Sequence, residues 1–118
     1  PCEAADLTAL AVQLDSALAD PRVTAIVANH DQLAAEIHAV LAERGPHSIA
    51  LAGYDGSATS ELLGITSVWQ PFEESGRAAM RLILDLASGE HSNLGSLVLT
   101  PRLMVRASTV PAATSPHD

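Results

Sequence analysis

Ser48-Ile49-Ala50-Leu51-Ala52-Gly53-Tyr54-Asp55 decides the fold. Small and apolar residues run straight into a glycine, an aromatic ring and an acid. Gly45-Pro46 stands before the run and Gly56 after it, both turn signals. A continuous apolar run of this length reads as a strand buried on both faces, the kind found in parallel sheets covered by helices. In such sheets ligands bind beyond the carboxyl ends of the strands. Asp55 sits at such an end.

Working outward, helix and strand alternate on both sides of this run, the pattern of an α/β fold. Upstream, Leu33, Ala34, Ile37, Val40 and Leu41 recur at helical spacing and form one apolar stripe. That helix opens at the polar turn Asn29-His30-Asp31, where Asn29 or Asp31 can cap free backbone N–H groups, and it stops at Gly45. Before the turn, Thr24-Ala25-Ile26-Val27-Ala28 reads as a short buried strand. Earlier still, Glu3 to Asp20 carries a helical stripe of Leu7, Leu10, Ala11, Leu14, Ala17 and Leu18. Asp20-Pro21 ends it, because proline disfavours helix at the residue before it.

Downstream, Gly56 to Gly64 is a polar connection with one helical turn at Ala58 to Leu63. Ile65 to Gln70 is a third strand. Pro71 suits the first position of a helix, whose stripe is Phe72, Ala79, Leu82, Ile83 and Leu86, closed by Gly89. Glu90 to Ser96 reads as a loop. Leu97-Val98-Leu99 and Leu103-Met104-Val105 read as short strands split by Pro101-Arg102. From Pro111 onward there is no periodicity, and residues 111–118 are expected to be a disordered tail.

The 118 residues make about one domain, 47 % hydrophobic but only 3 % aromatic, so the core is built from Ala, Leu, Ile and Val. A net charge of −8 argues against contact between this segment and nucleic acid or an anionic membrane. One cysteine, Cys2, makes no internal disulfide. No apolar run approaches the roughly 20 residues of a membrane span, and no signal-peptide pattern is seen. The first residue is not Met and a helical pattern begins almost at once, so the sequence reads as a piece of something longer.

Three polar groups follow predicted strands: His30 with Asp31, Asp55, and Gln70 with Phe72. Parallel strands bring all three to one crevice. Carboxylates and amides there can hydrogen-bond a ligand rich in hydroxyls or amides, while Phe72 or Trp69 covers an apolar face of it. Each has a plainer reading. Asp31 fits a helix cap, Asp55-Gly56 is a common turn pair, Trp69 fits a core, and His30 fits a solvated turn. Gly76 inside a helix hints at close packing or at simple tolerance. The five histidines and one cysteine lack metal-ligand spacing. There is no nucleophile elbow, phosphate loop, dinucleotide fingerprint or acid–base pair in distinct environments, so neither enzyme chemistry nor a cofactor is expected.

The order of four motifs carries more than any one. They are Thr24-Ala25-Ile26-Val27 with Asp31-Gln32-Leu33-Ala34; Gly53-Tyr54-Asp55 closing a strand; Thr66-Ser67-Val68-Trp69-Gln70-Pro71-Phe72 with Gly76-Arg77-Ala78-Ala79; and Leu103-Met104-Val105-Arg106-Ala107-Ser108-Thr109. Together, over about Ala17 to Val110, they resemble the C-terminal part of the lac repressor and galactose repressor family of bacterial transcription regulators. The resemblance implies an α/β, parallel-sheet core, periplasmic-binding-protein-like of type I, with a small effector in the cleft between two subdomains. Residues 1–110 would be a partial effector-binding domain. Residues 1–68 and 103–107 would form the C-terminal subdomain, and residues 72–99 would cross to an N-terminal subdomain that, with the DNA-binding head, lies outside this sequence.

Carried over by position, Asp55 would be the acidic effector contact, Gln70 and Phe72 hinge-side contacts, and His30 with Asp31 would flank the cleft. The family usually has Asn where His30 stands and a second Asp where Gly56 stands, and its loop at Gly45-Pro46-His47 is a few residues longer. The implied partners are a sugar or nucleoside effector, a second copy of the chain, and operator DNA through the N-terminal head. No membrane partner is implied, and the setting would be cytoplasmic. Leu33, Ile37, Leu62 and Leu63 are the implied dimer surface, with internal core as the plain alternative for Leu33 and Ile37. The rival functions are a solute-binding protein of a sugar transporter, which shares the fold, and a hydrolase using His30 and Asp55.

Overall fold

The computed structural model describes residues 7–45, 48–89 and 97–110. The expected loop at 90–96, the tail at 111–118 and the start of the first helix at 3–6 lie outside them. The elements in order are α1 (Leu7–Leu18), β1 (Ala25–Val27), α2 (Asp31–Glu43), β2 (Ala50–Asp55), α3 (Ala58–Leu62), β3 (Thr66–Trp69), α4 (Phe72–Ala87) and β4 (Arg102–Met104), with a short 3-10 turn at Ala107–Thr109. No helix among the described residues is long and apolar enough to cross a membrane.

One four-stranded sheet runs in the order β1-β2-β3-β4. β1 pairs with β2 and β2 with β3 in parallel, with Ile26 opposite Leu51 and Gly53 opposite Ser67. β4 returns antiparallel on β3, with Leu103 opposite Val68. The sheet is therefore mostly parallel, as the opening stretch requires, and the carboxyl ends of β1, β2 and β3 share one edge.

The core lies between the sheet and the helices. Leu14 of α1, the stripe Ala34, Ile37, Val40 and Leu41 of α2, Leu51 of β2, and the flanking Ala28 and Ile65 are all buried. α2 packs down on β2, and α1 and α3 lean against α2. The alternation in β2 follows the pleat: Leu51 and Gly53 are buried, whereas Tyr54 is exposed. Gly53 is a point of close approach. A Cβ there would stand 2.3 Å from Oδ1 of Asp31 and 3.1 Å from Cβ of Ala34, so only glycine lets α2 settle on the strand.

Three expectations need correction. β1 is an edge strand and not a buried one, with Val27 79 % exposed. Leu97-Val98-Leu99 forms no strand, because it has no ladder partner among the described residues. β4 begins at Arg102 rather than Leu103, and all three of its residues are exposed, since it closes the far edge of the sheet. Gly76 meets open space among the described residues, which fits simple tolerance, the second of its two readings.

The amino ends of β2 and β3 are closed by the returning chain. The Ser108 hydroxyl donates to the carbonyl of Leu51 at 2.6 Å and accepts the N–H of Thr66 at 2.8 Å, supplying the rung where the β2–β3 ladder begins. The Thr66 hydroxyl accepts the N–H of Arg106 at 2.8 Å and lies 2.6 Å from the Thr109 hydroxyl. The Arg106 guanidinium donates to the carbonyl of Ile65 at 2.7 Å. Among the described residues no buried side-chain nitrogen or oxygen lacks a hydrogen-bond partner, as groups withdrawn from water require.

Candidate effector site

At the opposite edge, β2 ends in Asp55, whose φ of 113° makes it the one non-glycine residue with positive φ among the described residues. Side-chain residues rarely hold that conformation, and it costs on the order of 1–3 kcal/mol. Its neighbour Gly56 has φ 69°, and a Cβ there would meet Cα of Trp69 at 2.5 Å. This backbone fits the turn-pair reading of Asp55-Gly56. Glycine at position 56 has a steric reason: the turn lies directly on β3.

Gln70 follows β3, and its amide Nε2 donates to Oδ1 of Asp55 at 2.9 Å, while its backbone N–H reaches the Asp55 carbonyl at 3.4 Å. This brings together the two residues expected to lead the site. Gln70 also helps line an open hollow of about 240 Å³ with Tyr54, Phe72, Ser75, Leu99 and Pro101. The hollow lies where the chain leaves β3 for α4 and where it returns toward β4. Phe72 is 60 % exposed. Trp69 is half-exposed, with the Arg102 guanidinium 5.8 Å from its ring centroid, so one ring face is already taken.

His30 is exposed and has the role expected of Asn29 or Asp31. It is the N-cap of α2, its Nδ1 accepting the Leu33 N–H at 3.0 Å. The neutral ring that accepts at Nδ1 carries its hydrogen on Nε2, which leaves a donor free at the cleft edge.

Asp31 departs furthest from expectation. It is 1 % exposed and turned into the domain. Oδ2 accepts the Ser57 N–H at 2.6 Å and Oδ1 accepts the Ser67 hydroxyl at 2.6 Å, while Ser67 Oγ accepts the Gly56 N–H at 3.0 Å. Burial pushes the carboxyl up, but the hydrogen bonds from Ser67 and Ser57 together outweigh it and hold Asp31 below the ordinary carboxylate range. Its place in the first turn of a helix favours the charge as well. Neither Ser57 nor Ser67 is among the site residues the sequence suggests. Their signals were present: a serine one residue before a helical turn, and a serine in the interior of a buried strand.

The residues expected at the dimer face divide. Leu62 at the end of α3 is 86 % exposed and Leu63, the residue after it, half-exposed, whereas Leu33 packs against the core and Ile37, 4 % exposed, lies inside it. Ile37 is thus core, because the α2 stripe turns toward β2. Among the described residues no group of three or more His, Cys, Asp or Glu could hold a metal ion.

A mostly parallel sheet with Asp55 and Gln70 paired at its carboxyl edge beside an open hollow places this chain among α/β domains whose strand ends face a pocket. The periplasmic binding protein-like domain family matches residues 2–109. The chain belongs to that family and is the C-terminal part of the effector-binding domain of a LacI-family regulator. It is 39 % identical over 93 residues to the HTH-type transcriptional regulator CelR of Thermobifida fusca, covering 75 % of this chain and 27 % of the relative. It is 32 % identical over 100 residues to the lactose operon repressor of Klebsiella pneumoniae, covering 80 % and 28 %. A LacI-family regulator from Arthrobacter sp. FB24, solved in complex with lactose, superposes with a TM-score of 0.73 at 31 % identity, covering 88 % of this chain and 40 % of that one. The chain thus spans well under half the length of each.

Proposed function

We propose that this chain is the effector-binding and dimerisation part of a bacterial DNA-binding transcription regulator, and that its effector is a sugar. The observation that carries this is the Asp55–Gln70 pair at the carboxyl edge of parallel strands, beside an exposed Phe72. A carboxylate accepts from sugar hydroxyls, an amide both donates and accepts, and an aromatic face covers the apolar side of a ring. The lactose complex of the Arthrobacter regulator supports a sugar over a nucleoside. His30 adds a donor where the family usually has Asn, and Asp31 acts from inside the domain.

In this reading the protein is cytoplasmic and not an enzyme, and operator DNA is bound by a region N-terminal to this chain. Residues 72–99 cross to the second subdomain. Leu62 and Leu63 meet a second copy of the chain, with Leu33 at the border. Sugar binding shifts the population between two arrangements of the subdomains and so alters the spacing of the DNA-binding heads. The test is titration of the full-length protein with cellobiose, lactose and a panel of nucleosides, with operator affinity as the readout. The expected result is a sugar that shifts operator affinity, and an Asp55→Asn variant that binds it about 10- to 100-fold more weakly, the effect of losing a hydrogen bond to a charged group. Operator affinity unmoved by every candidate would overturn the reading.

A further inference from the structure

Asp55 holds a conformation that a side-chain residue does not keep unaided. Its bonds to Gln70 fix one side of the turn. The two residues after it are both tied to one carboxylate deeper in the domain: Ser57 directly, and Gly56 through the Ser67 hydroxyl. Strained backbone persists where its surroundings over-determine it, and here the surroundings converge on Asp31.

We propose that Asp31 is the positioning residue of the effector site, holding the Asp55-Gly56-Ser57 turn so that the Asp55 carboxylate is preset at the cleft before any ligand arrives. This rests on the reading that Asp55 contacts the effector. Three features support it independently of that reading. Gly53 has no side chain at the place where a Cβ would strike Oδ1 of Asp31. The same carboxylate joins three elements, sitting on α2 while bonding β3 and the start of the α3 segment. Ser57 then caps α3, its Oγ accepting the Ser60 N–H at 3.2 Å, so the anchor also sets where that helix begins. Preorganisation of this kind raises affinity by removing the cost of ordering the turn on binding.

The experiment uses the full-length protein and the variants Asp31→Asn and Ser67→Ala. Asparagine keeps the shape but turns an amide toward N–H and O–H groups that need acceptors. Ser67→Ala removes a single arm and serves if Asp31→Asn folds poorly. Three readouts are taken: amide hydrogen exchange, affinity for cellobiose and lactose, and the melting shift caused by Asp55→Gly in each background. In Asp31→Asn the Gly56 and Ser57 amides should exchange about 10-fold faster or more, while the α2 amides from Ile37 to Leu41 keep their protection. Sugar affinity should fall about 10-fold. Asp55→Gly relieves the backbone strain, so it should raise the melting temperature of the parent protein and raise that of Asp31→Asn clearly less.

Unchanged exchange at Gly56 and Ser57, or an equal gain from Asp55→Gly in both backgrounds, would overturn the proposal. Faster exchange with unchanged sugar affinity would also overturn it, since the turn would be anchored without serving binding. A parent protein that binds neither sugar would count against the function proposed above, and exchange with the Asp55→Gly coupling would still decide whether Asp31 holds the turn.

Discussion

α2 and α4 are both amphipathic helices of similar length, 13 and 16 residues, and they meet opposite fates. α2 buries five residues, four of them the apolar stripe over β2. α4 buries none, and its Phe72, Met80, Ile83 and Leu84 are each more than half exposed. An apolar stripe at helical spacing announces a face that must be covered. It does not say by what. α2 lies between β1 and β2 in the chain and packs on β2, with α1 and α3 against it, so its cover is local. α4 follows the exit from β3 at Pro71, and its cover is not among the described residues. The two helices separate what this chain completes by itself from what it offers to something else.

Leu41→Ala, in the middle of the α2 stripe, should give the largest effect: a loss of about 2–5 kcal/mol in urea unfolding, from lost burial and the cavity left behind. Ile83→Ala in α4 should stay within roughly 0.5 kcal/mol. Equal costs at the two sites would break the contrast. Next, the bare stripe of α4 should drive residues 1–118 to self-associate in sedimentation, and Ile83→Lys should restore a monomer. A monodisperse, cooperatively unfolding monomer from the parent chain would refute that.

Acid should distinguish the helices a third way. Asp31 is held below its unfolded value, so its contribution is complete above the unfolded pKa and is lost as pH falls through the folded one. Stability measured from pH 5 downward should fall, and Asp31→Asn should flatten that part of the curve. The smallest effect sharpens the comparison most. Gly76→Ala in α4 meets open space, so helix propensity alone should act and stabilise α4 by roughly 1 kcal/mol, seen as added helicity in circular dichroism. A loss of stability in the full-length protein would place a close neighbour at Gly76.

The sheet and the leading pair of the site were legible because both follow from local pattern. Gly53-Tyr54-Asp55 ends an apolar run, Gln70 ends another, and parallel pairing places such ends together. Asp31 was legible only as a cap. Its burial depends on Ser57 and Ser67, 26 and 36 residues further on, and no spacing rule links a first-turn acid to serines at that distance. His30 capped instead, because the carboxylate beside it was drawn inward. Leu97-Val98-Leu99 shows the reverse failure: strand propensity is local, but a strand exists only where a ladder partner lies alongside. Val27 reads as buried for the same reason, since its sequence cannot reveal that β1 is the edge.

The Ser108 clip bears on the order in which the protein can be finished as it is made. The carbonyl of Leu51 finds its partner 57 residues later in the chain, and the N–H of Thr66 waits 42 residues for the same hydroxyl. Synthesis at about 5–20 residues per second leaves the lower end of the central strands open for seconds while the helices behind them have already formed. A nascent chain halted before Ser108 therefore presents an unfinished sheet, and the segment that closes the amino ends of β2 and β3 is made well after both strands.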